Sequence, residues 1–328
     1  MDVLVVDERR DKLVEWLGAS TPFGNCPLEV ASADASFRRY FRIHTTDGPR
    51  VVMDSPPQLE PCGPFIRLAQ QLGQAGIKVP EVHHMDAELG FLVLSDFGDL
   101  HYQDALQTEQ QNKLYERAIE VIIQLQKLPA PLITSLPVFD QAWQAKELEI
   151  FRDWCLPGIS KAEFRQYTAP LIEGVDAIPK SFMHRDFHCR NLLVLEDETP
   201  GIIDFQGAML GPITYDLVSL LRDCYLSNSP EWTARQVGAF RTQLIQAGLL
   251  EPETPPETFL RWFDWAGLQR HLKCVGIFHR LKFRDNKPEY LEDVPRVLGY
   301  VKEVLRAHPE LSDLQALVEQ ADLLGPEQ

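Results

Sequence analysis

The sequence predicts an α+β protein of two lobes, a small antiparallel-sheet N-lobe followed by a larger, mainly helical C-lobe. Three observations carry this. Up to about residue 95, short runs rich in β-branched and aromatic residues alternate with turn residues. Beyond residue 100, apolar residues recur at helical spacing. Between the helical stretches lie two short apolar runs joined by a tight polar link, with polar residues at their flanks. The division that follows is 1–95 for the N-lobe, 96–100 for a hinge and 101–328 for the helical lobe.

Residues 8–18 form a first helix, with Leu13, Val14 and Leu17 on one face. "LEVASADASFRRYFRIHTTDGPRVVMDSP" reads as three strands. The first ends at Val30, "ASADAS" is a small-residue turn, "RRYFRIHT" alternates as the second, and "RVVMD" follows the tight turn "TDGP". "SPPQLEPCGP" interrupts the chain, and "FIRLAQQLGQAG" is a helix that stops at Gly76. "VPEVHHMD" and "GFLVLSDFG" are two further strands.

In the C-lobe, "NKLYERAIEVIIQLQKL" aligns Leu114, Ala118, Val121, Ile122 and Leu125 in one stripe. "QAWQAKELEIFRDWCL", "TYDLVSLLRDCYL", "TARQVGAFRTQLIQAGL", "ETFLRWFDWAGLQRHLKCVGIFHRL" and "YLEDVPRVLGYVKEVLRAH" are also helical in pattern.

The chain has 328 residues, 45% hydrophobic and 24% charged, which suffices for substantial cores. Its formal net charge of −16 argues against binding to nucleic acid or to an anionic membrane. No window approaches the ~20 apolar residues of a membrane span. The start, "MDVLVVDERRDKLVEWLG", has no basic region ahead of its apolar residues, so it does not read as a signal peptide. The six cysteines are scattered and form no C-x-x-C pair, as expected of free thiols in a reducing cytoplasm. Nothing points to an obligate protein partner.

The chemistry concentrates in "MHRDFHCRNLLV", Met183 to Val194, and "IIDFQG", which ends at Gly207. "NLLVL" and "GIIDF" form a hairpin across "EDETPG", which brings Asn191 and Asp204 to one end with Asp186 just beyond. Magnesium takes a few hard oxygen ligands and completes its shell with water and phosphate. Asn191 and Asp204 supply one amide oxygen and one carboxylate. Asp186 is left to orient an attacking hydroxyl and accept its proton. His184, Arg185, Asp186 and Asn191 match the kinase pattern H-R-D-x-x-x-x-N, and Asp204–Phe205 match its D-F, with Gln206 in place of Gly. Tyr215–Asp216 follow Asp204 by eleven residues, with no A-P-E and no room for a loop that cradles a peptide. The expected acceptor is a small molecule, and Asp216 is a cap or a brace for the catalytic loop.

On these residues the chain resembles the aminoglycoside phosphotransferase family, whose protein-kinase-like members use ATP and magnesium on small hydroxyl compounds. The resemblance runs from about Leu13 to about Leu305. "DASFRRYFRI", "VVMDSPP", "GFLVLSDFGD" and "GLQRHLKCVGIFHRL" make it similar to one branch, bacterial kinases of N-acetylmuramate and N-acetylglucosamine in peptidoglycan recycling. That likeness implies phosphorylation of the anomeric hydroxyl to a sugar 1-phosphate, in the cytoplasm. It implies Asp186 as catalytic base and Asn191 and Asp204 as magnesium ligands. It also implies adenine binding at the hinge by the Ser95 carbonyl and the Phe97 amide, and a phosphate-covering turn at Ser36.

One departure stands out. Such folds end their third strand on a Lys for the ATP phosphates, whereas "RVVMD" offers Met53 and Asp54. Lys78, an arginine, or magnesium itself would have to compensate. Arg38 and Arg39 are the candidates, and strand alternation lets one of them face the nucleotide. The lactyl carboxylate of N-acetylmuramate calls for a cation, with Arg190, Arg222, Arg270, His271 and Lys273 as candidates. Trp262, Trp265 and Phe278 are candidates to stack on a sugar. An aminoglycoside, a choline-like alcohol or a glycated amine are alternative acceptors. A non-catalytic nucleotide binder is the remaining alternative.

Overall fold

A computed structural model describes residues 7–32 and 37–321. They fall into two units, Met1–Leu100 with Leu193–Gln206, and His101–Leu192 with Gly207–Gln328. Residues 193–206, which the sequence division assigned to the helical lobe, therefore belong with the sheet.

In the first unit, α1 (Glu8–Ser20) starts where the Asp7 carboxylate accepts the Arg10 N–H at 3.0 Å. Its buried face is Leu13, Trp16 and Leu17, an i, i+3, i+4 stripe, while Val14 is 47% exposed. The expected inward Val14 is thus corrected: it lies ~100° round the helix from Leu13, and the larger Trp16 takes the core. Strands β1 (Glu29–Ser32), β2 (Arg39–Thr45) and β3 (Gly48–Asp54) precede α2 (Gly63–Gln74), then β4 (Val82–Asp86) and β5 (Phe91–Ser95). They form one antiparallel sheet in the order β1-β2-β3-β5-β4. Phe41, Ile43, Val52, Phe91 and Val93 pack with α1 in one core. Period-two alternation puts Arg39 on that face and Arg38, Tyr40 and Arg42 on the other. Gly90 turns between β4 and β5 at φ +76°, and a Cβ there would strike the Ser55 carbonyl oxygen at 1.9 Å.

In the second unit, α3 (Tyr102–Ala105), α4 (Gln111–Gln126), α5 (Ala130–Ile133), α6 (Gln141–Cys155) and α7 (Lys161–Asp176) lead to β6 (Lys180–Met183). The expected hairpin, β7 (Leu192–Val194) with β8 (Pro200–Ile202), follows and lies almost wholly in the first unit, and in the second β9 (Met209–Pro212) pairs with β6. There follow α8 (Tyr215–Leu221), α9 (Pro230–Gln246), α10 (Pro256–Asp285), α11 (Val294–Ala307) and α12 (Ser312–Gln320). The 30-residue α10 is the hub, packed by α6, α7, α8, α9 and α11. It is buried almost all round in its middle, and the buried residues include the polar Asp264, Gln269, Arg270, His271 and Lys273. It crosses α6 at Gly276, where a Cβ would lie 2.6 Å from the Phe151 backbone.

Two helical readings are shortened. "YLED" lies in a 3₁₀ turn, Pro288–Asp293, and α11 begins only with Pro295 in its first turn. Helix α8 ends at Leu221, after which the chain turns at Asp223. No helix among the described residues is long and apolar enough to cross a membrane.

Candidate active site

The loop after β6 carries the motif, and the second unit holds it by two carboxylates. Arg185 takes a left-handed conformation, φ +79°, unusual for a side chain larger than glycine. Asp216, at the start of α8, compensates by accepting the His184 N–H at 2.7 Å and the Arg185 N–H at 3.0 Å. Asp223 accepts the Cys189 N–H at 2.8 Å and the Tyr225 N–H at 2.8 Å. Within the loop, the Asn191 side-chain amide donates to the Asp186 carbonyl at 2.9 Å. Phe187 and Cys189 are fully buried, whereas Asp186, His188, Arg190 and Asn191 are half-buried. The apolar side chains anchor the loop and the polar ones are presented.

Glu147 of α6 lies behind this loop. It is 5% exposed and receives Arg185 at 2.5 Å, Gln269 at 3.2 Å, Trp143 at 3.3 Å and the Lys273 ammonium at 3.8 Å. Burial opposes its charge, but Lys273 and Arg185 outweigh burial and hold its carboxyl below the usual range. Asp186 follows the same logic. Burial pushes its carboxyl up, yet Lys273, Arg185 and Arg270 among the neighbouring charges bring it well below the usual range. It is therefore an ionised acceptor at neutral pH. Burial pushes Asp216 the other way, up to about 7, against its two N–H donors and with the Asp186 charge adding to the rise.

In the first unit, Asp204 follows β8 at φ +62° and is exposed. Phe205 beside it is fully buried and stacks on Phe65 of α2, with ring centroids 4.9 Å apart. Gln206, where the kinase pattern has Gly, donates its side-chain amide to Asp204. Arg38 and Arg39 have parted as alternation requires. Arg39 binds Asp54 at 2.7 and 2.9 Å and also pairs with Asp7. Arg9 meets the other Asp54 oxygen at 2.6 Å. The fully buried carboxylate at the end of β3 is thus neutralised from two sides. Arg38, on the opposite face, lies 3.2 Å from the Ser55 hydroxyl and 3.2 Å from Glu60. Tyr40 shares that face, and its hydroxyl is pushed up to about 12 by burial; Arg38, Asp204 and Glu60 all act on it. Arg38 and Asp204 therefore occupy one electrostatic neighbourhood, which Arg39 does not face.

At the expected hinge, the Ser95 hydroxyl meets His83 at 3.0 Å. The Phe97 ring lies over Gly201 of β8, where a Cβ would be 2.6 Å from the ring. Arg42 grips Asp96 and Asp99 on either side of Phe97. Ser36 lies outside the described residues. Lys78 is exposed, and its carbonyl accepts the Ile202 N–H at 2.8 Å.

Most of the cations proposed for an acceptor are engaged. Arg222 binds Asp264 at 2.8 Å and Glu303 at 3.2 Å. Arg270 and His271 are buried in α10, on the Cys224 sulfur at 3.3 Å and the Arg222 carbonyl at 2.9 Å respectively. Lys273 is taken up with Glu147. Trp265 is core, filling the space above Gly174, and Trp262 packs on Phe259. Sequence reasoning missed Glu147, Asp223 and Arg42. Each is one acid or base among many on its element, and only the partner gives it meaning.

Asn191 in the second unit and Asp204 in the first each carry the kind of donor that a hard divalent cation takes. Asn191 and Asp204 offer oxygen only, and among the described residues no cluster of three or more His, Cys, Asp or Glu could hold a metal. Two protein oxygens, with phosphate and water, are what magnesium commonly takes.

A sheet unit, a helical unit built round one long helix, and a clamped Asp/Asn loop define a protein-kinase-like fold. It overlays Plasmodium vivax ethanolamine kinase with a TM-score of 0.64 at 10% identity, covering 89% of this chain and 87% of that one. The model of the phosphotransferase enzyme family matches residues 27–265, and the chain belongs to that family. It is also similar to proteins named N-acetylmuramate/N-acetylglucosamine kinase. The one from Pseudomonas aeruginosa is 38% identical, over 95% of this chain and 96% of the relative. The one from Neisseria meningitidis is 37% identical, over 98% of each.

Proposed function

We propose that this chain is an ATP-dependent kinase that phosphorylates the anomeric hydroxyl of N-acetylmuramate and N-acetylglucosamine, giving the sugar 1-phosphate. The observation that carries this reading is identity of 37–38% over nearly the full length of relatives that bear that name. A place in the recycling of cell-wall sugars, in the cytoplasm where ATP is available, follows from the same reading.

Phosphoryl transfer asks for positioning and charge neutralisation rather than covalent chemistry. An anomeric hydroxyl is more acidic than an ordinary alcohol, so a well-placed carboxylate suffices as base. Asp186 fits that role: it is half-buried and ionised, in a loop whose backbone is held by Asp216 and Asp223. It accepts the hydroxyl proton as the oxygen attacks in line. Asn191 and Asp204 are the proposed oxygen ligands of magnesium, which when bound neutralises phosphate charge. Arg38 is the proposed stand-in for the missing strand lysine, since Arg39 is occupied by Asp54 and Asp7. Ser95 and Phe97 would hold adenine through their backbone, and Ser36 would cover the phosphates.

Phosphorus NMR of the product, with ADP release followed over a panel of sugars and aminoglycosides, tests this. The expected product from either amino sugar shows phosphorus coupled to the anomeric proton. Phosphate on another hydroxyl, or turnover confined to aminoglycosides, would end the proposal.

A further inference from the structure

The loop of Asp186 carries a second charged side chain, Arg190, and among the described residues no carboxylate pairs with it. The guanidinium of Arg190 lies 3.5 Å from the ring centre of Tyr225 and 6.0 Å from that of Tyr290. Its Nε donates to the Gln103 side-chain oxygen at 3.0 Å, and its carbonyl meets His101 Nδ1 at 2.9 Å. Among the described residues no carboxylate lies within 4.0 Å of it, and its two terminal nitrogens have no partner. The contrast with its neighbours is clear: Arg185 is bound to Glu147, Arg222 to Asp264 and Glu303, and Arg270 is buried. Arg190 is half-buried.

A guanidinium stacked on an aromatic face and tied at Nε has lost most of its freedom before any ligand arrives. Its remaining edge is a planar pair of N–H groups, the shape that meets both oxygens of a carboxylate. Tyr225 is itself packed on His188 and Phe278, with centroids 5.4 and 6.2 Å away, and Tyr290 on Phe278 at 5.8 Å. The support under the guanidinium is therefore rigid. Tyr rings also offer flat apolar faces with polar tips, which suit a sugar ring.

We infer that Arg190 is the specificity-determining receptor for the carboxylate of an acidic N-acetylated amino sugar, and that Tyr225 and Gln103 set its fork. The inference rests on the proposed function, because it concerns which acceptor that same site prefers. It assigns to one side chain the difference between N-acetylmuramate, which has a lactyl carboxylate, and sugars that lack one.

The test compares N-acetylmuramate with its methyl ester, which keeps the shape and loses the charge. In the unaltered enzyme the ratio of kcat/KM, acid over ester, is expected to exceed about 10, the scale of one charge-assisted contact. In Arg190→Gln that ratio falls to near one, and Arg190→Lys restores it only in part. Each ratio comes from a single preparation, so any loss of folded protein cancels. A ratio near one in the unaltered enzyme overturns the inference without recourse to a variant. So does a variant that slows acid and ester equally, which would give Arg190 to the phosphoryl group instead. If the unaltered enzyme phosphorylates neither amino sugar, it is the proposed function that fails.

Discussion

Arg185 and Glu147, 38 positions apart in the chain, meet at 2.5 Å beside the loop that follows β6. The arginine of the H-R-D pattern is thereby neutralised by a permanent internal carboxylate, which Lys273 shares at 3.8 Å. Glu147→Gln keeps the shape and removes the charge, leaving two largely buried cations facing each other. We expect a loss of about 3 kcal/mol in stability, the scale of breaking a buried pair, and a fall in kcat of about tenfold. Urea unfolding beside steady-state kinetics checks both, and an unchanged unfolding midpoint would contradict the role.

Asp186→Asn removes the proposed base but keeps the loop, because Asn191 is bonded to the main-chain carbonyl and not to the carboxylate. ATP affinity should hold, while kcat drops ~10²-fold or more. Calorimetric titration with ATP and magnesium, alongside turnover, separates the two. Turnover at the unaltered rate would remove Asp186 from the mechanism.

Asp216 is expected to move activity and stability in opposite directions with pH. Its folded-state carboxyl is raised to about 7 from an ordinary value of 3.8. Folding therefore favours its protonated form. The stability it contributes is full below about pH 4 and is lost as pH rises through about 7. The charged form, however, is the better acceptor for the His184 and Arg185 N–H groups. The expected kcat profile has an acid limb near pH 7, and Asp216→Asn abolishes that limb while lowering kcat at pH 8. A limb that persists in the variant would assign it to another group.

The two arginines at the start of β2 should fail differently. Arg38→Ala is expected to raise the KM for ATP several-fold. Arg39→Ala should leave that KM within about twofold and cost about 1 kcal/mol of stability, a discounted figure because Arg39 is partly exposed and Arg9 still covers Asp54. The reverse pattern would show that the opposite face of the sheet meets the nucleotide.

Much of the fold was legible because strand and helix leave local periodicities, and the five strands, α4 and the β7–β8 hairpin all carry them. Helix α7 carries Pro170 in its interior, a residue that by local rules breaks a helix. Its helical shape survives through packing on α6 and α10. Val14 shows the complementary error, an apolar residue near the stripe that packing did not need.

The order His184, Asp186, Asn191 and Asp204 is covalent information, so the sequence alone determined the family and the chemistry to expect. Only the tertiary structure decided which charges are spent. Arg39 finds Asp54 across a strand pair, Arg222 finds Asp264 from another helix, and Glu147 meets Arg185 from α6. A side chain's charge is local, but its neutralisation depends on partners tens of residues away, which no local pattern records.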